Sequence, residues 1–283
     1  MPTANDFFSE PTRYLIVFAG EPGSGKTRAA LSFPGCYAIC CDPRGLEILK
    51  EPNNEALRQN LIHYDYFALE TKDDVTALFK QNVKPDDTVS IYGAIERVKA
   101  MAKAGEIQTV VFDGLSYLAD MLEIKTTQTH PGTTEGDKWA YYRQLKNDLT
   151  RFVQSQMWTL TRYGLHVITT VHIQRESEEA QRKRADNEAE IQPRIAGGFR
   201  AALAGMPRAM IYLDQRAKSV QNGTQKTHAV SYYAYCQRVR VGHMGLIPAK
   251  NSYGLPPVVN ITDKSFYDVL EASMNGKAAE VRK

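Results

Sequence analysis

Tyr14-Leu15-Ile16-Val17-Phe18-Ala19-Gly20-Glu21-Pro22-Gly23-Ser24-Gly25-Lys26-Thr27 decides the fold. A short apolar, β-rich run enters a glycine-rich turn, and Arg28-Ala29-Ala30-Leu31 continues in helix-compatible residues. Gly20, Gly25, Lys26 and Thr27 fit the pattern of glycine, four residues, then Gly-Lys-Thr. Glycines let such a loop wrap closely, so that successive backbone N–H groups face phosphate oxygens. The start of the following helix adds partial positive charge. On this reading Gly20, Glu21, Pro22, Gly23, Ser24, Gly25, Lys26 and Thr27 cradle the phosphates of a nucleotide. Lys26 reaches the β- and γ-phosphates, and the Thr27 hydroxyl ligates Mg2+. A plain glycine turn between strand and helix would leave Lys26-Thr27 unexplained.

The second landmark is Ile107-Gln108-Thr109-Val110-Val111-Phe112-Asp113. A near-continuous apolar run ending in a carboxylate is the pattern of a buried parallel strand whose end faces a ligand. In phosphate-loop NTPases such an aspartate holds the magnesium, usually through water. Many strands end in Asp at a turn, so Asp113 gains its weight from the loop upstream. Gly164-Leu165-His166-Val167-Ile168-Thr169-Thr170-Val171-His172 is another buried-type strand with a polar end. His172 reads either as a satisfied histidine or as a γ-phosphate sensor. Simple phosphate-loop kinases place the loop strand beside the magnesium strand and close an Arg-rich lid over the phosphates. The additional-strand class interposes another strand between the two. The extra strand at His166–Val171, followed by a β-rich region in place of a helical lid, favours the second class.

The remaining chain supplies a consistent α/β order. Met1 to Arg13 reads as an arm that Phe7 and Phe8 anchor on the protein's own core or, second in preference, on a neighbouring subunit. Strands are expected at Tyr14–Ala19, Cys36–Cys41 and Leu61–Leu69, and helices at about Gly25–Ser32, Leu46–Gln59, Asp73–Phe79 and Val89–Lys103. A helix follows from Leu115, Thr126–Gly136 is a loop, and Asp137 to about Arg162 reads as one long helix. Ile173–Ile195 mixes Arg175, Arg182, Lys183, Arg184 and Arg194 with Glu176, Glu178, Glu179, Asp186, Glu188 and Glu190, which predicts a mobile loop or solvated helix. Short strands are expected at Ala209–Leu213, His228–Tyr235, Arg238–Leu246 and Val258–Ile261, and a helix at Phe266–Ser273. The organisation is an arm (1–13), a core (14–263), and a C-terminal helix with a polar tail (264–283).

Among the 283 residues, 43% are hydrophobic and 24% charged, which suits a globular chain with a sizeable core. A net charge of +3 permits contact with nucleic acid through a local patch without demanding it. Cys36, Cys40, Cys41 and Cys236 form no Cys-x-x-Cys pair, and three of them sit in or beside one apolar run, the pattern of buried reduced thiols. The polar start shows no signal peptide, and no apolar run approaches the length of a membrane span. The expectation is a cytoplasmic protein with no membrane partner.

Taken together, the residues resemble the RecA-like core ATPases and, within them, the phage-encoded single-strand-annealing group. The match runs from Tyr14 to about Val259. Its carriers are the loop, Cys41-Asp42, Val110-Val111-Phe112-Asp113-Gly114-Leu115-Ser116, Trp139 with Tyr142, Thr170-Val171-His172, and Ala249-Lys250 before Gly254-Leu255-Pro256. The resemblance implies an α/β fold of RecA type, a twisted, mostly parallel sheet flanked by helices with C-terminal β-hairpins. It implies ATP and Mg2+ at the interfaces of a ring or filament of identical subunits, in the host cytoplasm if the protein is phage-encoded. It also implies single-stranded DNA held by the loops at Thr126–Gly136 and Ile173–Ile195, with a single-strand-binding protein as a partner. Arg175, Arg182, Lys183, Arg184 and Arg194 are then the DNA contacts, and Lys250 completes a neighbour's ATP site. One departure matters. Related recombinases carry Asp-x-Glu after strand two to position the attacking water, and here that setting reads Asp42-Pro43-Arg44. Asp42 and Glu47 remain as candidate bases, with Glu21 a poorer one.

Three functions follow in order: an ATP-dependent recombination or annealing protein on single-stranded DNA, a nucleotide-switched assembly or DNA-loading accessory with little hydrolysis, and a nucleotide kinase. The missing glutamate supports the second, and the β-rich C-terminal pattern argues against the third.

Overall fold

Runs of apolar residues that alternate between two covered faces build the centre of the molecule. The computed structural model describes residues 13–67, 69, 74–129, 138–177, 182, 190–222, 225–242 and 245–276. Leu15–Gly20 (β1), Cys36–Cys40 (β2), Leu61–Tyr66 (β3), Thr109–Asp113 (β4) and His166–Arg175 (β5) are parallel to one another. β5 lies between β1 and β4, with Leu15 opposite Val167 and Thr109 opposite His166, so the interposed strand is present. Ile191–Pro193 (β6) runs antiparallel to the end of β5. Ala209–Asn222 (β7) is parallel to β1 and forms a long hairpin with Gln225–Tyr235 (β8). Val239–Val241 (β9) and Gly245–Ile247 (β10) make a separate small hairpin. Lys250–Asn251 (β11) pairs with β7, and Val258–Asn260 (β12) with β8. The path across the sheet is β12-β8-β7-β1-β5-β4-β2-β3.

Both faces are covered, as a parallel sheet requires. Lys26–Ala30 (α1) follows the glycine loop, and Glu55–Asn60 (α2), Asp74–Leu78 (α3) and Ile91–Lys103 (α4) come before β4. Leu115–Thr129 (α5) and Lys138–Phe152 (α6) come between β4 and β5, Gly197–Gly205 (α7) before β7, and Phe266–Met274 (α8) at the end. Val17, Ala19, Ile39, Val110 and Phe112 share one core with Ile95 of α4, Leu118 of α5 and Leu149 of α6. Ile16, Phe18, Ala38 and Val111 share the other with Ala30 of α1 and Phe266 of α8. The four cysteines are free and buried, and burial pushes the Cys36, Cys41 and Cys236 thiols up to about 12.

Several expected elements change. The helix expected over Leu46–Gln59 breaks into the 3-10 turns Gly45–Lys50 and Pro52–Asn54 before α2, because Pro52 offers no N–H to an ongoing helix. The long helix to Arg162 is α6, then a π turn at Val153–Met157 and a 3-10 turn at Trp158–Tyr163. The loop expected from Thr126 begins later, since α5 runs to Thr129 with Thr126 fully buried. Ile173–Ile195 is not wholly a solvated loop. Its ends form the β5–β6 ladder, with Ile173, Ile191 and Ile195 buried. α7 was unforeseen; it buries Phe199 and Leu203 one turn apart. The single strand expected over Arg238–Leu246 is the hairpin of β9 and β10. The anchors Phe7 and Phe8, the loop residues 130–137, Lys183, Arg184 and the tail beyond Gly276 lie outside the described residues.

Candidate nucleotide-binding site

The glycine-rich loop is closed over its own strand and tied to a neighbouring one. A Cβ at Gly20 would collide with Ser24 Oγ and come within 2.6 Å of the Leu213 carbonyl on β7, so the strand end tolerates no side chain. Gly25 precedes α1 at φ 88°, in the left-handed region open to glycine. Lys26 is buried, and its Nζ donates to the carbonyls of Gly20 (3.1 Å) and Glu21 (2.8 Å). Burial pulls its pKa down to about 8, against the opposing pull of Asp113 and Asp42.

Asp113 stands at the end of β4 with only 2% exposure. Thr27 Oγ1 donates to its two carboxylate oxygens at 3.2 and 3.1 Å, and Thr170 Oγ1 from β5 donates to Oδ1 at 2.6 Å. Burial raises the Asp113 pKa, while the hydrogen bond from Thr170 opposes the rise. One hydroxyl and one carboxylate are hard oxygen donors, and no group of three His, Cys, Asp or Glu occurs among the described residues. That donor set fits Mg2+, which takes one or two protein oxygens and completes its shell with phosphate oxygens and water. Thr27 and Asp113 are the residues that could hold it.

Asp42 follows β2 on the same rim. Its Oδ1 accepts the Arg44 N–H (2.9 Å), and its Oδ2 lies 3.4 Å from His172 Nε2, an ion-pair separation without hydrogen-bond alignment. Burial alone would raise the Asp42 pKa; His172 and the Arg44 N–H outweigh it and hold the carboxyl below its usual range. His172 Nδ1 is buried without a hydrogen-bond partner, and the ring meets Tyr117 edge-on at 5.4 Å. Glu47 lines the same cleft but is exposed on its 3-10 turn, and Arg44, two residues after Asp42, lines it as well. The cleft is about 1050 Å3 and runs along the carboxyl ends of the parallel strands. A family model for the AAA domain matches residues 12–250.

The chain belongs to the AAA-domain family. It is therefore a P-loop NTPase by descent, with a mixed, mostly parallel sheet and a loop of nucleotide-binding kind. A search of the curated proteins found no match to the chain.

In this AAA domain several groups that sequence reasoning missed reach the site. Thr170 and Gly45 both lie against Asp113. Thr170 entered the sequence reading only within Thr170-Val171-His172, with no role at Asp113, and a Gly in a turn carries no signal of its own. A second pocket of about 310 Å3 shares Gly25, Arg28 and Tyr232 with the main cleft. Tyr232 lies against Gly25, and the Arg28 guanidinium sits 5.8 Å from its ring centre. The other predicted residues fall elsewhere. Arg194 stacks on Tyr117 at 5.4 Å, lies 3.4 Å from Asp120, and donates its N–H to the His172 carbonyl. Arg175 ends β5 and Arg182 is exposed beyond it. Lys250 does not line the cleft; its Nζ donates to the Gly205 carbonyl at 3.1 Å. No helix among the described residues is long and apolar enough to cross a membrane.

Proposed function

We propose that the protein is a Mg-ATP-dependent ATPase that acts on single-stranded DNA, in strand annealing or recombination, as an assembly of identical subunits. The observation that carries this reading is the position of His172. It touches Asp42 at the phosphate end of the cleft, and its own carbonyl accepts the Arg194 N–H at the base of the cationic segment. A change at the terminal phosphate thus has a short covalent and hydrogen-bonded path to Arg175 and Arg194.

Thr27 and Asp113 would hold Mg2+, which would supply positive charge to offset that of the phosphates. The chain's own groups do the rest. Loop N–H groups and Lys26 hold the phosphates, and Asp42 accepts a proton from the attacking water while His172 orients that carboxylate. The nucleoside end takes the 310 Å3 pocket, against the face of Tyr232. A single-strand-binding protein is a further partner on this reading, and the cytoplasm its location.

Binding of labelled single-stranded DNA, with and without Mg-ATP across a salt series, is the test. Replacing Arg182, Lys183 and Arg184 together with Ala should weaken binding uniformly across sequences. It should also flatten the log–log salt slope by up to about 2, at roughly 0.7 per lost phosphate contact. An unaltered slope with DNA binding intact would move the DNA site to Thr126–Gly136 and its neighbours Lys125 and Lys138. No DNA binding with or without Mg-ATP would move function to the second reading, a nucleotide-switched assembly or loading accessory. Arg44 beside Asp42, in place of a water-positioning glutamate, is what favours that alternative.

A further inference from the structure

The Asp113 carboxylate is held from two elements, Thr27 of α1 and Thr170 of β5, and the grip is asymmetric. The Gly114 N–H donates to Thr170 Oγ1 at 2.8 Å. A backbone N–H can only donate, so Thr170 must accept there, and its single hydrogen is left for Asp113 Oδ1 at 2.6 Å. Oδ1 thus receives Thr170 and, more weakly, Thr27 at 3.2 Å, whereas Oδ2 receives Thr27 alone at 3.1 Å. On the Oδ2 side stands Gly45, where a Cβ would collide with that oxygen and approach Cys40 Sγ to 3.1 Å.

We propose that Thr170 is a positioning residue for magnesium: it fixes the Asp113 carboxylate so that Oδ2 is presented beside Thr27, in space that Gly45 keeps open. The proposal rests on the nucleotide-binding reading of the cleft. Partners that orient a metal-ligating carboxylate typically change metal affinity 10- to 100-fold when lost. A merely structural threonine would instead serve through its shape, which valine reproduces.

The test measures binding of N-methylanthraniloyl-ATP by fluorescence, first in EDTA and then across a Mg2+ titration, with far-UV circular dichroism confirming the fold. For Thr170→Val we expect unchanged affinity in EDTA and a Mg2+ half-saturation raised roughly 10- to 100-fold. Thr170→Ser should restore the wild-type Mg2+ response, and Gly45→Ala should weaken it without altering affinity in EDTA. A wild-type Mg2+ response in Thr170→Val overturns the proposal, and so does a Thr170→Ser variant as impaired as the valine. An unaffected Gly45→Ala overturns the assignment of Oδ2. If the valine variant does not fold, Thr170→Ala takes its place under the same criteria. A wild-type protein that binds no nucleotide with or without Mg2+ removes the nucleotide reading, and this proposal with it.

Discussion

At Lys26 burial and charge pull in opposite directions. Its ammonium is desolvated enough to bring the pKa to about 8, yet phosphate binding favours the charged form and so raises the pKa in the complex. The sign follows: nucleotide affinity is full below about pH 8 and declines as pH rises through that value, by up to about tenfold per unit. Calorimetry from pH 7 to 9.5 should show this decline, and Lys26→Ala should bind nucleotide poorly at every pH while keeping its fold. Asp42 and Glu47 differ in a similar way. Asp42 is held ionised next to His172, whereas Glu47 is exposed on a turn. Asp42→Asn should therefore slow steady-state hydrolysis by at least about 100-fold, the lower end of what a general base contributes, and Glu47→Gln by much less. The reverse order of rates would show that Glu47 is the base. Lys26, Thr27 and Asp113 were legible in the sequence because each sits inside a local pattern. Thr170 and Gly45 were not, because what defines them is contact with a carboxylate on another strand or turn.

Among the elements, β5 joins the loop strand to the magnesium strand, and its first residue carries a titration of its own. His166 is buried, stacks on Tyr14 at 4.9 Å, and accepts the Tyr14 N–H at Nδ1. Burial, with Arg13 nearby, lowers its pKa to about 4. The unfolded value is near 6.5, so the neutral ring's contribution is complete above that pH and is lost as pH falls toward 4. The loss amounts to up to about 3 kcal/mol. Urea melts at pH 7.5 and 4.5 should show it, and His166→Gln, which keeps an acceptor for Tyr14, should flatten the dependence. A variant as acid-sensitive as the wild type would place the effect in other groups. The apolar runs of β1, β2, β4 and β5 were readable because burial on both faces forces near-continuous apolar sequence. The extent of β7 and β8 was not. Their outer halves, such as Ser219 opposite His228, pair with each other and need no apolar pattern.

For the whole molecule, the order of strands was foreseeable in kind, since a polar-ended strand after Asp113 pointed to the interposed class. The position of Lys250 was foreseeable only as a residue after a C-terminal strand. It stands on β11 against β7, bonded to Gly205 and off the cleft of its own chain. If it completes the site of an adjacent subunit, mixing Lys250→Ala with Lys26→Ala subunits should partly restore ATPase activity, because some interfaces pair an intact loop with an intact lysine. No recovery in mixtures shown to co-assemble would leave Lys250 as a tie between β11 and α7.

The neighbours of β1 also set a birth order. Leu15 pairs with Val167 and Ile16 with Ala209, and the Tyr14–His166 contact spans 152 residues. Synthesis delivers the N-terminus first, and pairings this remote form late because a long loop must close before they stabilise anything. β2 and β3 have only a short connection to close, with Cys36 opposite Leu61. On the ribosome, then, the apolar run Leu15–Ala19 is exposed and unpaired while its future partners are still being made, a window in which it needs shielding from other chains. The Thr27–Asp113–Thr170 arrangement forms only when β5 slides in beside it. A chain cut ahead of His166 would carry the whole glycine motif on a β1 that has neither of its sheet neighbours.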